Sequence, residues 1–408
     1  MSDVARLLER SAAGERLSHA EGLLLYREAP LHDLGAAAHE RRTRLHPGRE
    51  VSYVIDTTIN YTNICDVHCS FCAFFRPEGH AEGYTMSHDE VVQRVAFATE
   101  RGATQIMIQG GVNPQLPIGY YIELFERIGK VFPDVDIHSL STSEICGIAK
   151  REQMTVEDVL VTLRASGLKS LPGAGAEILV ERVRKRISAR KIDDDRWLEV
   201  MRTAQRLGMP TTATMMFGSV ETDAERITHL DVLRELQDEM QGFSAFIPWY
   251  YVPHKTPLRG REATGIEYLR VIAISRLYLD NFAHIQASWL TPGLKLGQLA
   301  LLFGADDMGG TILEERVVTW PAVRTSLPAK IWNERFVKPD MFRQYATRTS
   351  TAETIRSPPA PRLSRNQPEE LEQAIQGWRQ RRPLQDSSEE PVADGVGSKR
   401  CESSHKFL

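Results

Sequence analysis

Hydrophobic and polar positions change their period near residue 51. In residues 1–50 the apolar side chains recur at helical spacing, as in LLER, GLLLY and LGAAAHERR, among many charged side chains. This pattern predicts a set of amphipathic helices. We expect them to form an N-terminal helical cap that packs on the rest of the fold.

From residue 51 onward, short apolar runs alternate with amphipathic helical patterns. The predicted strands are VSYVIDTTI, TQIMIQ, VDIHSL, LKSLP, TTATMMFG, FSAFIP and HIQASW, which are rich in β-branched and aromatic residues. Ser87 followed by Glu90 predicts the capping box of a helix that stops at Gly102. Strands that alternate with helices require right-handed crossovers and parallel pairing. The pattern predicts an α/β fold, a closed (β/α) barrel of the TIM type over residues 51–318.

The alternation ends after Val318. Residues 319–356 have no clear period, and we expect an irregular extension there. Prolines, serines and charges dominate residues 357–408, a composition typical of a disordered tail. The sequence thus predicts one barrel domain between a helical cap and a tail.

The amino-acid composition excludes some classes of binding partner for this protein. The chain has 408 residues, 42% hydrophobic and 25% charged, as in an ordinary globular protein. Its 50 basic and 54 acidic residues give a net charge of -4, so nucleic acid is not an expected partner. No apolar run approaches the roughly 20 residues of a membrane span, and the opening residues scatter charges where a signal peptide needs an apolar core. We expect a cytoplasmic protein.

Three of the five cysteines lie in one short loop. Cys65, Cys69 and Cys72 follow the first predicted strand with the spacing C-x3-C-x2-C. In a (β/α) barrel, loops after the carboxyl ends of strands carry the chemistry. Three thiolates leave one position of a tetrahedral site open, and a [4Fe-4S] cluster held in this way keeps one iron free for a small molecule.

Two other interpretations of these cysteines are structural. One is a zinc site with His68 or a distant residue as fourth ligand, but structural zinc loops usually pair two C-x2-C halves and no second half is present. The other is three reduced thiols in the core, which the polar neighbours Asn60 and Asn63 do not favour. The spacing therefore favours the cluster.

The motif C-x3-C-x-Phe-C after the first strand resembles that of the radical S-adenosylmethionine (SAM) superfamily. In that family the free iron chelates the amino and carboxylate groups of SAM, and reduction of the cluster yields a 5'-deoxyadenosyl radical. The resemblance implies a [4Fe-4S] cluster and SAM as cofactors. It also implies a low-potential electron donor, such as flavodoxin or ferredoxin, as a partner.

The same resemblance implies a set of SAM contacts. Phe71 would lie against the adenine, and the turn after the second strand would meet the SAM amino group. Glu177 would contact the ribose or amino acid part, with Arg182 or Arg184 available for the carboxylate. The expected cofactor residues are Phe71, Gln109, Gly110, Gly111, Ser141, Glu177 and Arg182.

Longer stretches resemble one group within that superfamily. GAEILVERVRKRIS, WLEVMRTAQRLGM and FGADDMGGTILEERVV are similar to the dehypoxanthine futalosine cyclases of menaquinone biosynthesis, and to their relatives, the aminofutalosine synthases and FO synthase subunits. The cyclase resemblance implies that the radical removes a hydrogen from ribose C4' of the substrate. The ribosyl radical would then add to the benzoate ring, and loss of an electron and a proton would restore aromaticity.

Polar residues near predicted strand ends are the candidates for a nucleoside-like substrate. His138 and Glu221 are the expected catalytic residues. The expected substrate contacts are Thr142, Thr214, Trp249, Gln286 and Ser288. The strand HSLSTSEI differs from the proline-containing strand expected of the cyclases. The alternatives are an aminofutalosine synthase, an FO synthase subunit or, from another class, an inactive cluster-binding protein with a damaged C-terminus.

Overall fold

Parallel strands form the centre of the molecule. The computed structural model describes residues 2–48, 50–312 and 342–344. The strands are β1 (Val51–Val54), β2 (Asp56–Ile59), β3 (Gln105–Ile108), β4 (Asp136–His138), β5 (Leu168–Ser170), β6 (Thr211–Phe217), β7 (Phe243–Tyr250), β8 (Asp307–Gly310) and β9 (Phe342–Gln344). The short β9 pairs in parallel with β1. Apart from β9, the extension and the tail predicted after Val318 lie outside the described residues.

The sheet closes on itself. β1 and β2 follow one another and together occupy one strand position of the barrel, here called a stave. In this stave β1 pairs with β8, and β2 pairs with β3. The pairing continues from β3 through β4 to β5, and a bridge between Leu171 and Thr211 joins β5 to β6. β7 pairs with β6 and reaches β8 through bridges made by Ile285 and Gln286. The predicted (β/α) barrel is confirmed.

Two staves differ from the sequence prediction. The run HIQASW contributes only the bridging residues Ile285 and Gln286 instead of a full strand. β8, which closes the barrel against β1, is not among the predicted strands. Its sequence Asp-Met-Gly-Gly contains no β-branched residue, and its strand conformation depends on pairing with β1.

Helices surround the barrel. They are α1 (Asp3–Ala13), α2 (His19–Glu28), α3 (Leu31–Leu45), α4 (His88–Thr99), α5 (Ile118–Val131), α6 (Thr142–Glu152), α7 (Val156–Ala165), α8 (Glu181–Ser188), α9 (Asp194–Arg206), α10 (Asp223–Met240), α11 (Gly265–Tyr278) and α12 (Leu294–Ala300). The predicted capping box of α4 is present, since the amide of Ser87 donates to Glu90 at 2.8 Å. Within the described ranges, no helix is both long enough and apolar enough to cross a bilayer.

The first three helices pack on the last large helices of the barrel. α3 lies against α11, and α2 lies against α10. Arg16, between α1 and α2, forms ion pairs with Asp238 at 2.6 Å and Asp280 at 3.0 Å. The guanidinium of Arg234 donates to the carbonyl of Leu17 at 2.9 Å. The N-terminal segment is therefore bound through residues more than two hundred positions away in sequence.

A buried ion pair fixes the junction of this segment with the end of the barrel. Arg276 of α11 has a fully buried side chain and donates to Asp306, which precedes β8. Asp306 also accepts the amide of Ile285 at 2.9 Å, and His46 lies 3.3 Å from its second oxygen. Burial acts to raise the pKa of Asp306, but the hydrogen bond from His284 and the charge of Arg276 hold it below its ordinary value.

We expect Asp306→Asn to destabilise the protein by about 3 kcal/mol, because it leaves the buried Arg276 without a compensating charge. Urea denaturation followed by circular dichroism would measure the change. The matched control is Glu239→Gln, which breaks the exposed pair with Arg202 and should cost less than about 1 kcal/mol. Equal losses in the two variants would contradict the role assigned to the buried pair.

Candidate functional site

The barrel encloses a cavity of about 480 Å³. This volume is typical of a site for a small molecule. Side chains at alternate strand positions line it, as period-two geometry requires, for example Asp56 and Thr58 on β2, and Thr212 and Thr214 on β6. The loop that follows β2 contributes its side chains at the carboxyl end of the barrel.

The three cysteines of this loop all line the cavity. Cys65, Cys69 and Cys72 are free thiols, and Cys69 is buried. The amide of Val112 donates to the sulfur of Cys65 at 3.4 Å. Burial raises the pKa of Cys69 to about 12, so a thiolate at this position needs a bound cation. Three sulfurs facing one cavity fit a cluster with one open iron.

His68 does not join the cysteines. Its ring stacks on that of Phe75, with 4.9 Å between the centroids, and its Nδ1 lies 3.3 Å from the guanidinium of Arg190. His68 is not among the residues that line the cavity. This orientation does not support the zinc site with His68 as fourth ligand.

The turn after β3 lies directly against the cysteine loop. Gln109, Gly110 and Gly111 line the cavity, and the amide of Gly111 donates to the carbonyl of Thr62 at 2.9 Å. A Cβ on Gly111 would overlap the carbonyl oxygen of Ile64 and would stand 2.8 Å from the Cβ of Cys65. The absence of a side chain at Gly111 is therefore what permits the two loops to touch.

A buried carboxylate faces the cavity near the cysteines. Glu177 adopts a positive φ of 42° and binds the ammonium of Lys191 at 2.7 Å through Oε1. Its Oε2 is 3.7 Å from Arg184 and has no hydrogen-bond partner among the described residues. The ammonium of Lys191 lies 5.4 Å from the centroid of the Phe71 ring. An unsatisfied buried oxygen of this kind fits a polar ligand that brings its own donor.

Lys191 had not been singled out in the sequence. It lies in the loop after α8, within no motif, and only the fold brings it beside Glu177. Burial acts to lower the pKa of Lys191, but the charge of Glu177 keeps it above its usual value. Lys191 therefore keeps its positive charge next to the cysteine loop.

Six further predicted residues line the same cavity. They are His138, Ser141, Thr214, Trp249, Gln286 and Ser288. Burial lowers the pKa of His138 to about 4, so its imidazole is neutral near pH 7, with Nδ1 2.7 Å from the hydroxyl of Ser170. Ser141 caps α6 and donates to Glu144 at 2.7 Å, and Thr214 donates to the carbonyl of Gly173 at 2.7 Å.

Three predicted residues are not brought to the cavity. Arg182 is half exposed on the outer face of α8, where it binds Glu225 at 2.6 Å. The side chain of Glu221 is fully buried in the turn after β6, where its carboxylate binds Arg226 at 2.8 Å. Thr142 is buried at the start of α6 and donates to a backbone carbonyl at 3.3 Å. Each side chain is engaged elsewhere in the fold.

Comparisons with known proteins cover most of the chain. The model of the radical SAM superfamily matches residues 59–233, and the model of the CofH/MqnC C-terminal region matches residues 240–348, past Val318 where the quoted motifs end. The cyclic dehypoxanthine futalosine synthase of Streptomyces coelicolor is 48% identical over 322 residues, which are 78% of this chain and 81% of that protein. That of Halalkalibacterium halodurans is 42% identical over 314 residues, with coverages of 77% and 85%.

More distant relatives share the fold. The aminodeoxyfutalosine synthase of Thermus thermophilus is 40% identical over 317 residues, covering 76% of this chain and 85% of its own. The crystal structure of methylornithine synthase has a TM-score of 0.63 at 18% identity, covering 82% of this chain and 97% of its own. HydG, a maturase of the FeFe-hydrogenase, has a TM-score of 0.61 at 14% identity, with coverages of 77% and 68%.

We expect Gly111→Ala to reduce the iron and sulfide bound per chain, because the new methyl group displaces the loop that carries Cys65. Iron and sulfide analysis after identical anaerobic reconstitution would measure the loss. The matched control is Gly129→Ala on α5, where no atom lies within 4 Å of the added Cβ and full iron content is expected. Equal iron in both variants, or bound zinc in place of iron in the unaltered protein, would contradict this account.

Proposed function

This chain belongs to the CofH/MqnC family of the radical SAM superfamily, and on that premise we propose that it converts dehypoxanthine futalosine to cyclic dehypoxanthine futalosine in menaquinone biosynthesis. The observation that carries the proposal is the 48% identity to a cyclic dehypoxanthine futalosine synthase over 78% of the chain. The cavity at the cysteine loop supports it, since its volume suits a nucleoside-like substrate.

Cys65, Cys69 and Cys72 would hold the [4Fe-4S] cluster. Together with SAM, that cluster supplies a 5'-deoxyadenosyl radical when it is bound. Glu177 would accept a hydrogen bond from SAM through its unpartnered Oε2, and Phe71 would cover the adenine. Both side chains line the cavity with the cysteines, and both lie close to the ammonium of Lys191.

The walls of the cavity would keep water from the reacting atoms. A carbon radical that removes unactivated hydrogens has to form in a dry, closed space. Met107, Ile247, Trp249 and Leu290 give the lining a large apolar share. The barrel itself therefore supplies the enclosure.

The polar residues of the lining would orient the substrate. Gln286 and Ser288 offer hydrogen-bonding groups on the stave between β7 and β8, and Thr214 offers its hydroxyl oxygen on β6. The neutral imidazole of His138 can donate or accept a hydrogen bond without adding a charge. We assign these residues to the hydroxyl and carboxylate groups of the substrate.

Electrons would reach the site from a separate protein. We propose a low-potential donor such as flavodoxin or ferredoxin, because the chain offers no second cysteine loop among its described residues. A cytoplasmic location stays a prediction from the sequence.

The proposed activity is tested with anaerobically reconstituted protein, SAM, a strong reductant and dehypoxanthine futalosine. We expect equal amounts of 5'-deoxyadenosine and of the spiro product, and neither from Cys69→Ala. Deoxyadenosine without the spiro product would contradict the cyclase. The second candidate, an aminodeoxyfutalosine synthase, rests on the 40% identity to the Thermus enzyme and predicts turnover of that enzyme's substrate instead. No deoxyadenosine under either condition would indicate an inactive cluster-binding protein.

We expect Glu177→Gln to raise the Kd for SAM about tenfold, because a charge-assisted hydrogen bond is replaced by a neutral one. Equilibrium dialysis of labelled SAM against the reconstituted protein would give the Kd. Glu181→Gln serves as the control, since Glu181 is four positions away, largely exposed and paired with Lys185. A Kd unchanged in Glu177→Gln, with iron content retained, would remove Glu177 from the SAM site.

A further inference from the structure

The barrel contains a carboxylate for which the proposed site has no role so far. Asp56 is the first residue of β2, is only 4% exposed and lines the cavity. Thr58 and Asn60 follow it on the same face of the stave and lead toward the cysteine loop. A fully buried carboxylate without an ion-pair partner is unusual.

Asp56 lies at the level where β3 begins and β8 ends, since it pairs with Gln105, the first residue of β3. Val54 pairs with Gly310, the last residue of β8, so Asp56 stands beyond the carboxyl end of that strand. Its Oδ1 accepts the amide of Ile312 at 3.0 Å. A Cβ on Gly310 would overlap both carboxylate oxygens, so the glycine leaves the room that the carboxylate occupies.

No ion pair compensates this carboxylate among the described residues. Burial raises the pKa of Asp56 to about 7, and the negative charge of Asp307 on β8 adds to the effect. A purely structural role would be served equally well by asparagine, which accepts the same amide hydrogen bond without burying a charge. The carboxylate therefore calls for an explanation in terms of its proton.

We propose that Asp56 is the general base that accepts the proton lost when the cyclised benzoate ring regains aromaticity. The inference rests on the proposed function, which places the aromatic ring of the substrate inside this cavity. The ring closure requires a proton acceptor, and none of the residues assigned so far supplies one. Asp56 would fill that role.

The step balances as follows in atoms and electrons. Addition of ribose C4' to the ring forms a carbon–carbon bond and leaves a ring radical whose attacked carbon still bears hydrogen. That carbon–hydrogen bond breaks, its proton passes to an oxygen of Asp56, and its electron pair joins the ring. The ring then gives up one electron to an acceptor of the iron–sulfur class, and the aromatic product remains.

The other acidic and imidazole side chains that line the cavity are less suited to this task. His138 has a pKa of about 4, which makes it a weak base near pH 7. Glu177 is bound to Lys191, and the carboxylate of Asp307 accepts hydrogen bonds from Ser52 and from the amide of Gly309. The carboxylate of Asp56 accepts a hydrogen bond from the amide of Ile312, and its pKa is about 7, near the working pH, where a general base is most effective.

Two more charged groups of the lining stand closer to solvent. Asp136 at the start of β4 is half-buried, and Lys169 on β5 is exposed. Asp136 pairs in register with Gln105, which in turn pairs with Asp56, so it lies two strands away from Asp56. Neither side chain is buried as deeply as that of Asp56.

The test is Asp56→Asn in the reconstituted holoenzyme, with deoxyadenosine and spiro product counted separately. We expect deoxyadenosine to form as in the unaltered protein, because hydrogen abstraction precedes the proton transfer. The spiro product per deoxyadenosine should fall about 100-fold, the usual worth of a general base. Samples frozen during turnover should show the electron paramagnetic resonance signal of a substrate-derived ring radical.

The unaltered enzyme gives a second measurement that needs no variant. Its ratio of spiro product to deoxyadenosine should fall as the pH drops below about 7, because protonated Asp56 cannot accept the proton. A ratio independent of pH would overturn the inference, even if Asp56→Asn failed to fold or to bind iron.

The matched control is Asp223→Asn on α10, which removes a half-exposed carboxylate that is paired with Arg27 and does not line the cavity. We expect its ratio of product to deoxyadenosine to equal that of the unaltered enzyme. An unaltered enzyme that makes no spiro product would refute the proposed function itself. An active enzyme whose ratio is unchanged in Asp56→Asn would refute only the role of Asp56.

Discussion

The contact between the cysteine loop and the turn after β3 is the constraint on which the site depends. Three sulfurs can face one cavity only if their loop is pressed against the carboxyl end of the barrel. The missing side chain of Gly111 allows that approach, and the amide of Val112 then reaches the sulfur of Cys65 at 3.4 Å. The glycines that the sequence suggested for SAM binding are thus also needed for the packing of the turn after β3 against the cysteine loop.

Periodicity in the sequence was sufficient for most of the fold. Short runs rich in β-branched and aromatic residues identified β1 to β7, and their alternation with helical patterns identified the parallel barrel. It failed at β8, where Asp-Met-Gly-Gly carries no strand propensity and only closure against β1 makes a strand. The three cysteines could be found because the ligand role proposed for them depends on local spacing within one loop.

The other side-chain contacts of the site could not be predicted from the spacing of residues in the sequence. Arg182 and Arg184 are two positions apart on α8, so they face opposite sides of the helix, and only Arg184 is buried near Glu177. Lys191 belongs to no motif, yet the fold brings its ammonium within 2.7 Å of Glu177. Side-chain contacts of this kind depend on tertiary packing, which determines the direction of each side chain.

The attachment of the N-terminal helices to the far end of the sequence has a consequence for the order of folding. α1 to α3 are synthesised more than 150 residues before α10 and α11, the helices on which they pack. Their contacts have high sequence separation, as between Leu17 and Arg234, and such contacts form slowly. During synthesis these helices expose apolar surface that a chaperone can bind, and the barrel can close before its first segment docks.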